Sequence, residues 1–270
     1  MYPSPLTGRS SCALFIVAVC LLAAPAVRAQ DPPEPPVKKQ EKQELPKAEA
    51  VLEANVKAIG GRKALEKHKS VVVVMKGTVV EQDMELTVEI KQKAPNLMRM
   101  KMSMQDVFEQ ETGFDGKVAW SKDPFTGERV LEDVERAQMV REAAFNAQLK
   151  WKQLYKKVET VGMKKVGDRE CIVVQLTPEK GHPSKHFYDK ETYLLLALEG
   201  TSESAMGEQT VRTLFSDYKE VGGVLYAHTH EMNMGPATME MELEKIELDV
   251  KLDDALFKKP WADKDEKKKG

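Results

Sequence analysis

The sequence predicts an α+β fold dominated by antiparallel strands, an unclosed half-barrel of about ten or eleven strands under a helical lid. Three observations carry this. Short segments alternate apolar and polar residues at a period of two, between turn signals such as Asp115-Gly116, Gly167-Asp168, Gly207-Glu208, Gly222-Gly223 and Gly235-Pro236. Two stretches instead place apolar residues at a spacing of three and four, one near the start of the folded region and one in the middle of the chain. No repeat of fixed period is present, which excludes solenoids and propellers.

Residues 1–29 have the grammar of an export signal. Arg9 precedes an apolar run from Cys12 to Ala24, and Val27-Arg28-Ala29 is a small-residue cleavage site. The run is short of the roughly 20 residues that span a bilayer, so the mature chain is expected to start near Gln30 and to have no transmembrane span. A periplasmic or secreted location follows. Cys12 and Cys20 leave with the signal, so Cys171 remains alone and forms no internal disulfide.

Residues 30–46 hold five prolines among Glu, Lys and Gln and read as a disordered linker. From Pro46, Val51, Leu52, Val56 and Ile59 mark one helix face, Gly60-Gly61 stops it, and a short second helix covers residues 63–68. Strands are then expected at 70–80, 84–90, 96–104, 107–114 and 117–121. After a helix or helix pair from Val130 to Leu154, they resume at 158–166, 170–177, 185–188, 193–202, 209–218, 224–234 and 237–248. Residues 258–270 form a charged tail.

The formal charge of -2 becomes -4 once Arg9 and Arg28 are removed, with both signs well mixed. That balance points to neither nucleic acid nor an anionic membrane surface. Catalytic motifs are missing: there is no nucleophile elbow, and Cys171 lies in the apolar run "CIVVQL" of a buried thiol. His228 and His230 in "AHTHEM" share a strand face and are the best metal candidate, but two ligands make no site and no third completes it. The expectation is therefore a protein that is not an enzyme and uses no cofactor or metal.

The methionines are the distinctive feature. "NLMRMKMSM" puts Met98, Met100, Met102 and Met104 on one face and Arg99, Lys101 and Ser103 on the other. Met84, Met232, Met234, Met239 and Met241 repeat the pattern on other strands. Thioethers fill irregular gaps in a core, and they equally suit a wall that must repack around an apolar ligand. Periodicity leaves both readings open.

"KAPNLMRMKM" followed by "GFDGKVAWSKDP" resembles the strand, Pro turn, strand and Asp-Gly-Lys-x-x-Trp run of the periplasmic lipoprotein carriers of the LolA/LolB type, through Pro95, Asn96, Leu97, Asp115, Gly116, Lys117, Trp120 and Pro124. "FSDYKEVGGVLYAHTHEM" and "IELDVKLDDALFKKP" are similar to the closing strands and terminal segment of the wider lipoprotein-sorting group. The resemblance implies a single LolA-like lipid-binding domain over residues 47–257, whose cavity between half-barrel and lid holds lipid or lipoprotein acyl chains. It implies a wall of Met84, Met98, Met100, Met102, Met104, Trp120, Met232, Met234, Met239 and Met241. Where those carriers have a lid-holding arginine before the matched proline, this chain has Ala94, so the same latch is not implied. The alternative on this fold is an envelope interaction or sensor module with a protein partner, and then a metal-dependent enzyme at His228 and His230.

Overall fold

The computed structural model describes residues 44–105, 108–204 and 207–261. The predicted signal, most of the linker and the tail from residue 262 lie outside the described residues. From Glu44 onward the chain forms one compact unit, and no helix among the described residues is long and apolar enough to cross a membrane.

Helix α1 (Ala48–Ala58) buries Val51, Leu52 and Val56, as its periodicity predicts, and α2 (Gly61–Lys67) follows after the two glycines. Gly60 has φ +122°, and a Cβ there would lie 2.1 Å from the Gly223 carbonyl oxygen, so only glycine lets the helix end abut that strand turn. The chain then enters the middle of a sheet. Strands β1 (Ser70–Val79), β2 (Met84–Lys93), β3 (Leu97–Met104), β4 (Phe108–Phe114), β5 (Ala119–Asp123) and β6 (Gly127–Val130) step outward by hairpins to one edge.

Helix α3 (Asp133–Glu142) and the short α4 (Trp151–Leu154) then carry the chain to the opposite edge. There β7 (Lys157–Val166), β8 (Arg169–Thr177), β9 (Ser184–Asp189), β10 (Leu195–Ser204), β11 (Gly207–Val221), β12 (Val224–Met234) and β13 (Ala237–Leu248) step back inward until β13 pairs with β1. The order β6-β5-β4-β3-β2-β1-β13-β12-β11-β10-β9-β8-β7 makes one antiparallel, unclosed sheet. Its 13 strands exceed the expected ten or eleven. The segment expected to be helical from Val130 begins instead with a strand, because Val130 pairs with Trp120 at the sheet edge. Helix geometry is confined to α3, a 3-10 turn at Ala147–Leu149 and α4.

Both faces of the sheet carry core. On the inner face, α1 packs on Ile172, Val174, Leu176 and Tyr188, α2 packs on Val224, and Met139 of α3 with Ala143 just after it packs on Met98, Phe114 and Ala119. On the outer face, the segment after β13 lays Leu252 and Phe257 over Val72 and Leu97. Cys171, Val173, Phe187 and Ala197 make a second outer cluster.

Candidate functional site

The strand register decides which side chains share a surface. Met100, Met102 and Met104 lie opposite Ile90, Val88 and Leu86, and Val79 lies between Met84 and Met239. Met241 is opposite His230 and Met232 opposite Met239. Nine of the chain's 14 methionines (Met75, Met84, Met100, Met102, Met104, Met232, Met234, Met239 and Met241) pack into one cluster on five adjacent strands, so this surface is a thioether wall rather than a core with occasional methionine. Met98 continues it beneath α3.

The wall is graded. Met75, Met98, Met239 and Met241 are buried, whereas Met84, Met100, Met102, Met104, Met232 and Met234 are half-buried. The cluster's own members all lie on strands; α1 and α2 cover another part of the inner face, and the α3 cluster borders the wall at Ile90 and Met100. The intervening charges point the other way. On the outer face Arg99 pairs with Glu111 and Lys101 with Glu109, each at 2.7 Å, and the hydrogen bond that Lys101 donates to Glu109 pushes the Lys101 pKa up. An open cavity of about 680 Å³ over β1, β12 and β13 is lined by Lys76, Glu231, Glu240, Glu242 and Glu244 together with Gly77, Thr78, Thr229, His230, Met241 and Leu243. That charged lining is not a surface for an acyl chain.

Helix α3 straps the two arms together. Arg129 holds Glu135 through two hydrogen bonds of 2.7 Å, and Gln92 donates to the Glu142 carbonyl at 2.9 Å. On the far arm, Gln138 donates to the Ser202 hydroxyl at 3.2 Å and accepts from the Glu203 backbone at 3.4 Å, while Arg141 donates to the Lys180 carbonyl at 2.9 Å. At the Ala94 position the chain uses backbone and a lysine instead: the Pro95 carbonyl accepts from the Phe145 amide at 3.1 Å and from Lys150 at 2.9 Å.

Beneath the helices the inner wall turns polar but stays neutral. His186 lies 3.2 Å from the Ser184 hydroxyl and 3.3 Å from the Tyr188 hydroxyl, and burial pushes its pKa down to about 4. Burial also pushes the Tyr188 and Tyr218 phenols up, and Tyr218 donates to the Leu195 carbonyl at 2.6 Å.

Sequence comparison matches no family model and no curated protein. The fold, by contrast, is similar to those of solved structures. A LolA superfamily protein from Nitrosomonas europaea superposes with a TM-score of 0.54 at 13% identity, over 79% of this chain and 98% of that one. The fold is LolA-like. A DUF1329 family protein from Desulfovibrio piger is similar as well, with a TM-score of 0.50 at 12% identity over 78% of this chain and 97% of that one.

Within the LolA-like frame, nine of the ten residues expected to line the cavity share the inner face, and Trp120 does not. Trp120 lies opposite Gly113, which lies opposite Arg99, so it belongs to the outer face. It is fully buried there, donates to the Phe257 carbonyl at 2.8 Å, meets Trp261 edge-on at 5.8 Å and has the Arg99 guanidinium 5.8 Å from its ring. The tryptophan anchors the C-terminal segment. Phe257 and Leu252 went unassigned because they sit in a short, mostly polar stretch without period, although the unbroken run Val71–Val72–Val73–Val74 signals a strand buried on both faces.

His228 and His230 are both on the inner face, half-buried, at the edge of the methionine cluster. A third group, His182 with Glu203 and Glu208, brings its ligating atoms within 4.8 Å at the tip of the β10–β11 hairpin, where His182 is 3.2 Å from Glu208. His182 and Glu203 are half-buried there and Glu208 is exposed. Cys171 has no exposed surface, and burial pushes its thiol pKa up, which leaves it an inert packing residue.

Proposed function

We propose that this protein binds the acyl chains of a lipid or lipoprotein along its methionine wall, in the cell envelope and without catalysis. The single observation that carries the reading is the clustering of nine methionines on one continuous inner surface, which α3 reaches only at its Met100 edge among the described residues. A surface built only for packing has better residues in Leu and Ile, whose rotamers are more restricted. Thioether chains re-form around aliphatic chains of different length.

The energetics are adequate. Burying roughly 15 methylenes yields about 12 kcal/mol at ~0.8 kcal/mol each. Association costs at least ~4 kcal/mol in lost freedom, so micromolar binding requires most of the chain to be covered. The α3 strap over Met98, with its few polar ties to the far arm, is the element that moves to admit it.

Native mass spectrometry of the unextracted mature chain, combined with titration of a fluorescent fatty acid, tests this. The expected result is a lipid adduct, or saturable probe binding that an unlabelled fatty acid reverses. Protein that is lipid-free as isolated and also fails to bind the probe rules the proposal out.

A further inference from the structure

The two histidines that the sequence offers as a metal candidate border the methionine wall and supply chemistry that acyl binding does not use. On β12 and β13 the rungs His230–Met241 and Met232–Met239 are successive inner-face pairs. Residues paired across strands have Cβ atoms about 5 Å apart, and the next position on the same face is roughly 7 Å along. One imidazole and three thioethers thus border a single patch, within reach of methionine's rotatable bonds. Gly77 lies opposite Met241 on β1 and adds no side chain on that side.

The imidazoles are already oriented. His228 turns Nδ1 to the Tyr226 carbonyl at 3.0 Å. That contact occupies Nδ1 of His228 as donor and leaves its Nε2 with the lone pair that a ligating histidine requires. Phe215 meets His230 edge-on at 5.0 Å and limits rotation of the ring. Burial moves the His230 pKa down, toward the neutral form.

The patch also has a definite selectivity. Glu231, Glu240 and Glu242 alternate to the outer face, so no carboxylate from these stretches of β12 or β13 reaches it, and the site lacks the oxygen ligands that hard cations need. Neutral thioethers with imidazole favour a soft ion of low charge.

We propose that His230, Met232, Met239 and Met241 form a binding site for a soft monovalent metal ion, Cu(I) or Ag(I), with His228 beside it. This goes beyond acyl binding and does not depend on it. The metal occupies two rungs of the wall, and the remaining methionines on β2 and β3 stay free of it.

The test is anaerobic competition between the mature chain and bicinchoninate for Cu(I), followed by Ag(I) titration of protein labelled at the methionine methyls. Wild-type protein is expected to withhold one equivalent of Cu(I), and Ag(I) to shift the Met232, Met239 and Met241 methyls. The double variant Met239→Leu/Met241→Leu, which conserves volume, should weaken Cu(I) binding at least ~10-fold, and Met139→Leu should leave it unchanged. Failure of the wild type to compete overturns the proposal, and so do Ag(I) shifts spread evenly over all the methionines. The fatty-acid titration is read on the same sample. Loss of one activity with the other retained identifies which of the two proposals fails.

Discussion

The Trp120 indole N–H donates to the Phe257 carbonyl at 2.8 Å, and this bond ties the segment after β13 to the sheet face opposite the methionines. Both side chains are fully buried. Gly113 makes the arrangement possible, since a Cβ there would come within 2.4 Å of the Trp120 ring. Removing the Phe257 ring leaves a cavity against Val72 and Leu252. Phe257→Ala is therefore expected to cost about 3–5 kcal/mol in urea unfolding. Because the damage is on the outer face, fatty-acid affinity of the remaining folded protein should be unchanged.

That pair also marks where the sequence was readable and where it was not. Period-two alternation placed β12 and β13 at their observed bounds and assigned the methionines of β3 to one face, because a half-buried antiparallel strand has to alternate. Trp120 defeated the same logic. Its neighbours Ala119 and Ser121 are also buried, so β5 shows no alternation from which to choose a face. Val130 failed for a different reason: it falls in step with the α3 periodicity, and only pairing with Trp120 makes it a strand. The methionine surface was legible as a spacing on each strand. Its continuity depends on β13 meeting β1, a contact between residues far apart in sequence that no local pattern encodes.

Acid should act on the protein through His186. Burial pushes its folded-state pKa down to about 4 from an ordinary 6.5, so the unfolded chain takes up a proton over a range where the folded chain does not. This contribution to stability is full above pH 6.5, falls as the pH drops from there to about 4, and is constant below. His186→Phe removes the titrating group. Urea midpoints measured from pH 7 to 4 should decline less steeply in the variant than in the wild type, and parallel profiles would assign the acid sensitivity elsewhere.

The strap should control how fast a ligand leaves. Gln138 makes two contacts to the far arm, at 3.2 and 3.4 Å, and both are lost in Gln138→Ala. Long, partly exposed hydrogen bonds contribute about 1 kcal/mol together. Fatty-acid dissociation is therefore expected to accelerate about fivefold. Stopped-flow measurement of probe release checks this, and an unchanged rate means that α3 does not gate the wall.

The methionine wall makes the sharpest demand, because packing and binding respond differently to the same positions. Met100 and Met102 are half-buried and stand beside Ile90 and Val88. Changing both to Leu conserves volume and should shift stability by less than about 1.5 kcal/mol. Changing Met102 alone to Asp puts a carboxylate on the inner face, where a bound acyl chain would cut it off from water. A charge that remains hydrated in the free protein has to be desolvated when ligand binds, so the penalty falls mainly on the complex. Met102→Asp should thus weaken fatty-acid affinity at least ~10-fold, about 1.4 kcal/mol, while the Leu pair stays close to wild type. If instead the Asp variant binds the probe normally, the chain does not run along β3, and the wall serves packing alone on that side of the sheet.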